Sequence, residues 1–111
     1  MPATGALVVV TTTIDNPDLA ATWARDLLAA RLVACVQVLP ITSHYVWEGR
    51  LENTAEWRLE CKTTATQAAA VVAWFTTHHT YQTPEILTLT AAANPAYQAW
   101  ASGQCGGNDR P

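Results

Sequence analysis

From Leu32 to Trp47 the chain runs 16 residues, strand-like to Leu39, interrupted at Pro40 and strand-like again from His44, and Glu56 to Thr63 brings it back in a second strand-like stretch. Extended at about 3.3 Å per residue, the outward reach spans roughly 50 Å. A chain of 111 residues makes one domain, and such a domain has a radius of gyration of only about 13 Å. The two strands, joined through a turn at Glu48-Gly49-Arg50, must therefore project beyond the rest of the fold or double back at Pro40. Pro40 cannot donate to a ladder, so it marks a bend, a bulge or an edge. The projecting form is expected here. A two-stranded ribbon carrying Tyr45, Trp47 and Trp57 is unstable by itself. Neighbouring copies of the chain would cover its rings and use its free edge.

Composition agrees with a covered surface. Half of the residues are hydrophobic, only 14% are charged and five are Trp, where soluble domains average about 25% charged. The net charge is −3, too small for a disordered chain of this apolarity. Six basic residues against nine acidic ones disfavour nucleic-acid binding, which is driven by phosphate neutralisation. No apolar run approaches the 18–20 or so residues of a membrane span, and Met1 leads directly into strand-like sequence, so a cytoplasmic location without a signal peptide is expected. Cys35, Cys61 and Cys105 are widely spaced and include no C-x-x-C pair, so free thiols are expected rather than a zinc site or a disulfide framework.

Periodicity places the remaining elements. Ala6 to Ile14 is a β-branched, near-continuous apolar run, the pattern of a central strand. Asn16 and Pro17 form a cap-plus-proline start, and Leu19, Trp23, Leu27 and Ala30 give a helical apolar face to about Arg31. In Glu56 to Thr63, Trp57, Leu59 and Cys61 face one side, while Glu56, Arg58, Glu60 and Lys62 face the other. Thr64 with Gln67 forms a capping box for a helix with Ala68, Val71, Val72 and Phe75 inward, ending near His78-His79. Glu85 to Thr90 is a fourth strand. Asn94-Pro95 starts a short helix with Tyr97 and Trp100 that Gly103 stops. The order is βαββαβ plus a terminal helix. It predicts an α+β, ferredoxin-like sandwich, with residues 1–102 as its single domain and 103–111 as a disordered tail.

Several segments in fixed order then resemble a known family. They are Ala34-Cys35-Val36-Gln37-Val38-Leu39-Pro40, Tyr45-Val46-Trp47-Glu48-Gly49-Arg50, Lys62-Thr63, His79-Thr80-Tyr81-Gln82-Thr83-Pro84-Glu85, and Asn94-Pro95-Ala96-Tyr97 with Trp100. Over about Leu7 to Ala101 the chain resembles the CutA family of divalent-ion tolerance proteins. The resemblance implies a homotrimer with long hairpins against adjacent subunits, an architecture shared with PII-type signalling trimers, and a role in copper and divalent-metal tolerance without established enzymatic activity. The expected trimer contacts are Tyr45, Trp47, Trp57 and Trp100. Some members carry a first-strand cysteine proposed as a copper ligand. Here that stretch reads Val10-Thr11-Thr12-Thr13, so a site of that kind keeps only Cys35 with His78 or His79. No cofactor is required; copper or another divalent ion is the one the resemblance suggests.

The candidate residues have competing structural readings. Cys35 in an apolar strand packs as a small hydrophobe, although a thiolate suits Cu(I). His78 and His79, about 100° apart on a helix, cannot chelate one ion as an i, i+4 pair would. Their plainer role is capping the helix end. Lys62 between acidic neighbours suits cross-strand ion pairs. An inter-subunit cleft lined by Trp47, Lys62, Tyr81 and Glu85 has apolar walls and convergent polar groups, the mixture of a small-ligand site. A PII-like protein binding a small effector in such clefts is the alternative function. It lacks a basic, glycine-containing phosphate loop, for which Gly49-Arg50 is the nearest approach. An acylphosphatase-type enzyme needs an arginine in a glycine-rich cradle after the first strand, where Asp15-Asn16-Pro17-Asp18 would repel phosphate. Stacking aromatics for RNA are missing from the first strand, and no nucleophile–histidine–carboxylate set stands out.

Overall fold

The computed structural model describes residues 6–106. Strand β1 (Ala6–Ile14) leads into helix α1 (Pro17–Ala29), and strands β2 (Cys35–Trp47) and β3 (Arg50–Thr63) form the hairpin. Helix α2 (Ala65–His78), strand β4 (Ile86–Ala92) and helix α3 (Pro95–Gln104) follow. The sheet order is β2-β3-β1-β4, antiparallel at every junction. This is the ferredoxin-like arrangement. The near-continuous apolar run of β1 is explained by its central place, flanked by β3 and β4.

Helices α1 and α2 cover one face. Trp23 and Leu27 of α1 and Val71 and Phe75 of α2 close on Val10, Ile14, Leu59 and Cys61, all buried. The aromatic part is edge-on, with Trp23 and Trp74 centroids 6.2 Å apart at 86°, the geometry that ring quadrupoles favour. Helix α3 packs Ala101 on Leu7 and Ala34. The helix starts read from the sequence are present at α1, where Asn16 accepts from the Leu19 amide, and at α2, where Thr64 accepts from the Gln67 amide. Asn94 makes no side-chain cap bond; its carbonyl accepts from Gln98 instead.

The hairpin does not fold back. Its ladder runs without a break from Cys35↔Lys62 to Trp47↔Arg50, through Pro40↔Trp57. Pro40 is tolerated because β2 is an edge strand, so its missing N–H interrupts nothing inside the sheet. The strands are longer than the periodicity suggested, because pairing across the ladder holds residues 41–43 and 51–55 extended despite their irregular sequence. The turn is the two residues Glu48 (φ 52°) and Gly49 (φ 78°), the left-handed pair of a type I′ turn, whose twist matches the strands. The molecule measures 50 × 28 × 20 Å with a radius of gyration of 15.2 Å, larger than the roughly 13 Å of a compact chain this long.

Other boundaries also differ from the sequence reading: β2 starts at Cys35 rather than Leu32, and β4 spans Ile86–Ala92 rather than Glu85 to Thr90. Helix α1 ends at Ala29, and Arg31 takes φ 59° as the chain reverses. Helix α3 runs through Gly103 to Gln104, and Cys105 and Gly106 are ordered after it. The expected disordered tail therefore does not begin at 103. The Arg31 guanidinium donates to the Gly103 carbonyl, and the Gly106 amide donates to the Arg31 carbonyl at 2.7 Å. These bonds tie the end of α3 to the end of α1. The rest of that expected tail, 107–111, lies outside the described residues, as do the first five residues.

Candidate functional site

The loop 79–85 is stitched to the end of β1. Thr12 Oγ1 donates to the Glu85 carbonyl at 2.7 Å. His79 Nε2 lies 2.9 Å from the Thr13 carbonyl, and His79 Nδ1 accepts from the Tyr81 amide at 3.1 Å. Together these contacts define one tautomer: Nε2 carries the proton and Nδ1 is the acceptor. The ring also packs against Trp23 and Tyr81, at centroid distances of 5.0 and 4.7 Å. Burial holds the His79 pKa below its ordinary value, although the Thr13 carbonyl and the carboxylates of Glu56 and Asp15 pull the other way.

The loop positions Tyr81 over the base of the hairpin. Its hydroxyl donates to Glu56 Oε2 at 2.6 Å, and Ser43 donates to Glu56 Oε1 at 2.6 Å. Glu56 is only 6% exposed. Burial, then the hydrogen bond and the charge of Glu56, push the Tyr81 phenol well above its ordinary range, so it remains a donor. Beside this network lies an open cleft of 640 Å³. Thr13 and Asp15 form its floor at the end of β1. Ser43, His44, Tyr45, Trp47, Thr54 and Glu56 line it from the hairpin, and Tyr81, Gln82, Thr83 and Glu85 from the loop.

Three of the four expected cleft residues, Trp47, Tyr81 and Glu85, line this space. Lys62 does not, within one chain. It stands opposite Cys35 and Val9, at the other end of the sheet, and its ammonium meets the Gln37 side chain rather than a carboxylate. The ion pairs along the same strand are Arg58–Glu60 at 3.8 Å and, at the hairpin tip, Arg50–Glu52 at 3.9 Å. The sequence reading missed Glu56, Asp15, Ser43 and Thr54. Glu56 alternates with Arg58, Glu60 and Lys62 as if on a plain solvated face, and no spacing signals that a tyrosine 25 residues on will cover it.

The expected metal set does not come together in one chain. Cys35 stands level with Val9, and His79 with Thr13. Four residues of β1 separate those levels, about 13 Å at the strand rise. Cys35 lies beside Tyr97 of α3. His78 Nδ1 lies 2.8 Å from the Trp74 carbonyl, with its ring stacked on Trp74, and both His79 nitrogens are engaged. Among the described residues, no three His, Cys, Asp or Glu side chains gather to hold an ion. Of the expected trimer contacts, Tyr45, Trp47 and Trp100 are exposed, whereas Trp57 packs against the chain's own core.

Comparison with known proteins gives a consistent picture. The family described as CutA1 divalent ion tolerance protein matches residues 8–104. The divalent-cation tolerance protein CutA of Salmonella newport (strain SL254) is 39% identical over 95 residues, covering 84% of this chain and 83% of that protein. The solved CutA of Synechococcus elongatus PCC7942 superposes with a TM-score of 0.87 at 34% identity, covering 93% of each chain. A second structure of that CutA, complexed with a Bis-Tris molecule, superposes at 0.84 with 33% identity over 93% of this chain and 97% of the other.

Proposed function

Since the chain belongs to the CutA1 divalent ion tolerance family, we propose that it serves the cell's response to divalent metals as a cytoplasmic, non-enzymatic homotrimer that binds a small effector in the cleft at the base of its hairpin. The observation that carries the effector reading is the cleft itself: 640 Å³, bounded by three aromatic side chains and by a buried, hydrogen-bonded carboxylate. That mixture suits recognition. It does not suit nucleophilic catalysis, because the nearby Ser43 hydroxyl is committed to Glu56 and both nitrogens of His79 are committed to backbone. The Bis-Tris complex of the Synechococcus relative supports small-molecule uptake by a protein of this fold.

The trimer reading rests on uncovered apolar surface. Val46 and Leu51 at the hairpin tip are 67% and 83% exposed, and Leu87 and Leu89 on the sheet face away from α1 and α2 are 46% and 52% exposed. Neighbouring copies would remove this area from water. Three free thiols accord with a reducing compartment, which cell fractionation checks directly. Copper contact, in this reading, is weak and made by Cys35 alone, since the chain's imidazoles lie elsewhere. Titration of Cu(I) and Cu(II) into wild type and Cys35→Ser tests it. Binding lost in the variant supports the contact, and equal binding removes Cys35. The effector reading is tested by a small-molecule screen that monitors the Trp47 indole N–H. Ligands that shift it and lose affinity in Tyr81→Phe support the cleft.

A further inference from the structure

We infer that the cleft takes an organic ammonium: a compact cationic amine held by ring faces and dispersed carboxylates, rather than a phosphate-bearing molecule or a metal ion. This rests on the reading of the cleft as an effector site and names the ligand's class. The charge of the lining favours a cation. Within one chain, Asp15, Glu56 and Glu85 line the space, and no lysine or arginine does so among the described residues. Glu56 is the telling member. It is 6% exposed, and both of its oxygens accept from neutral hydroxyls, Tyr81 on one and Ser43 on the other. The ion pairs of the described residues involve Glu52 and Glu60, not Glu56. Buried carboxylates are ordinarily matched by a cation, and the open side of this one's surroundings is the cleft. A phosphate or a nucleotide would add negative charge to a wall already negative.

The shape of the lining disfavours a metal ion. A metal ion requires ligands converging on one point at about 2.0–2.6 Å. The three carboxylates are distributed around the cleft and, with the cysteines and histidines, form no such group. An ammonium of several carbons can span them. Its charge would sit against Tyr45, Trp47 and Tyr81, whose faces attract cations within about 6 Å of the ring centre. The hydroxyl of Thr13 remains to pair with a polar substituent, whereas that of Thr54 donates to the Tyr45 phenol at 3.4 Å.

The test uses the full chain and two isosteres, choline and 3,3-dimethylbutan-1-ol, which differ in the charge at the branched centre. Inorganic phosphate and Mg²⁺ complete the set. Binding is read from the Trp47 indole N–H and the Tyr81 amide in heteronuclear spectra. Choline is expected to shift both saturably and at least tenfold more tightly than the alcohol. Asp15→Asn and Glu56→Gln should each weaken choline severalfold or more while leaving the alcohol unchanged. Asp15 is exposed, so its variant folds even if Glu56→Gln disturbs the hairpin. If the alcohol or phosphate binds as tightly as choline, or Mg²⁺ displaces choline, the cleft remains a ligand site and the ammonium class is overturned. If no probe shifts either signal, the effector reading falls and this inference falls with it.

Discussion

Glu56 shows how one side chain can organise a site. Placed on β3 by alternation, it is removed from solvent by a loop that arrives from the far side of the sheet and puts Tyr81 upon it. Replacing it by alanine leaves the hydroxyls of Tyr81 and Ser43 without their acceptor, and a loss of about 1–3 kcal/mol in urea unfolding is expected. His79 controls the same loop through its neutral form. Its folded pKa lies below the ordinary value, so the unfolded chain binds the extra proton first as pH falls. The contribution of His79 is therefore complete above about pH 6.5 and declines as pH drops from there toward the folded pKa. Unfolding midpoints measured from pH 7.5 to 5 should show this slope in wild type, and His79→Asn, which keeps an acceptor near the Tyr81 amide, should flatten it. Cys61 is inert for a related reason: burial pushes its thiol up to about 12, against a partial pull downward from Lys62. At pH 8 its thiolate fraction is on the order of 10⁻⁴, so alkylation of the native protein followed by peptide mapping should leave Cys61 unmodified until the chain unfolds.

At the scale of elements, the hairpin carries the most information. The type I′ turn requires positive φ at both central positions, and Glu48 meets that requirement without being suited to it. A non-glycine residue in that conformation costs about 1–2 kcal/mol, less for asparagine. Glu48→Asn is therefore expected to raise stability by about 0.5–1 kcal/mol, and Gly49→Val to lower it by about 1–2 kcal/mol, both read from urea midpoints. A Cβ at Gly49 would meet no atom within 4 Å, so that loss would be purely conformational. The boundaries of the hairpin illustrate what local pattern conveys. Alternation in 56–63 announced β3, whereas 51–55 has no alternation and becomes strand because β2 is opposite it.

For the whole molecule, a monomer of this shape leaves its tip and its outer sheet face apolar and wet. Leu51→Asp changes a side chain that is 83% exposed and touches no part of the chain's core. Far-UV circular dichroism should be unchanged, while the dissociation midpoint of the oligomer, followed by size measurement under dilution, should move tenfold or more, equivalent to about 1.4 kcal/mol. A chain that stays monomeric at all concentrations would remove the assembly argument. No described helix is long and apolar enough to cross a membrane.

Strand and helix identities, the central place of β1, the capped starts of α1 and α2, and the excess length of the hairpin were all legible in the order of residues, because each follows from periodicity, cap chemistry or the fixed rise of a strand. So were Trp47, Tyr81 and Glu85 as neighbours, through the family resemblance rather than through spacing. What the order of residues could not tell was which polar groups the fold would bring face to face. Lys62 and Glu56 occupy the same strand face six residues apart, yet one ends beside Gln37 and the other beneath Tyr81. Cys35 and His79 look compatible as metal ligands until register sets them four residues of β1 apart. Local pattern decides which way a side chain points along its own element. Contacts between elements depend on register and on the path of a loop, which only packing decides.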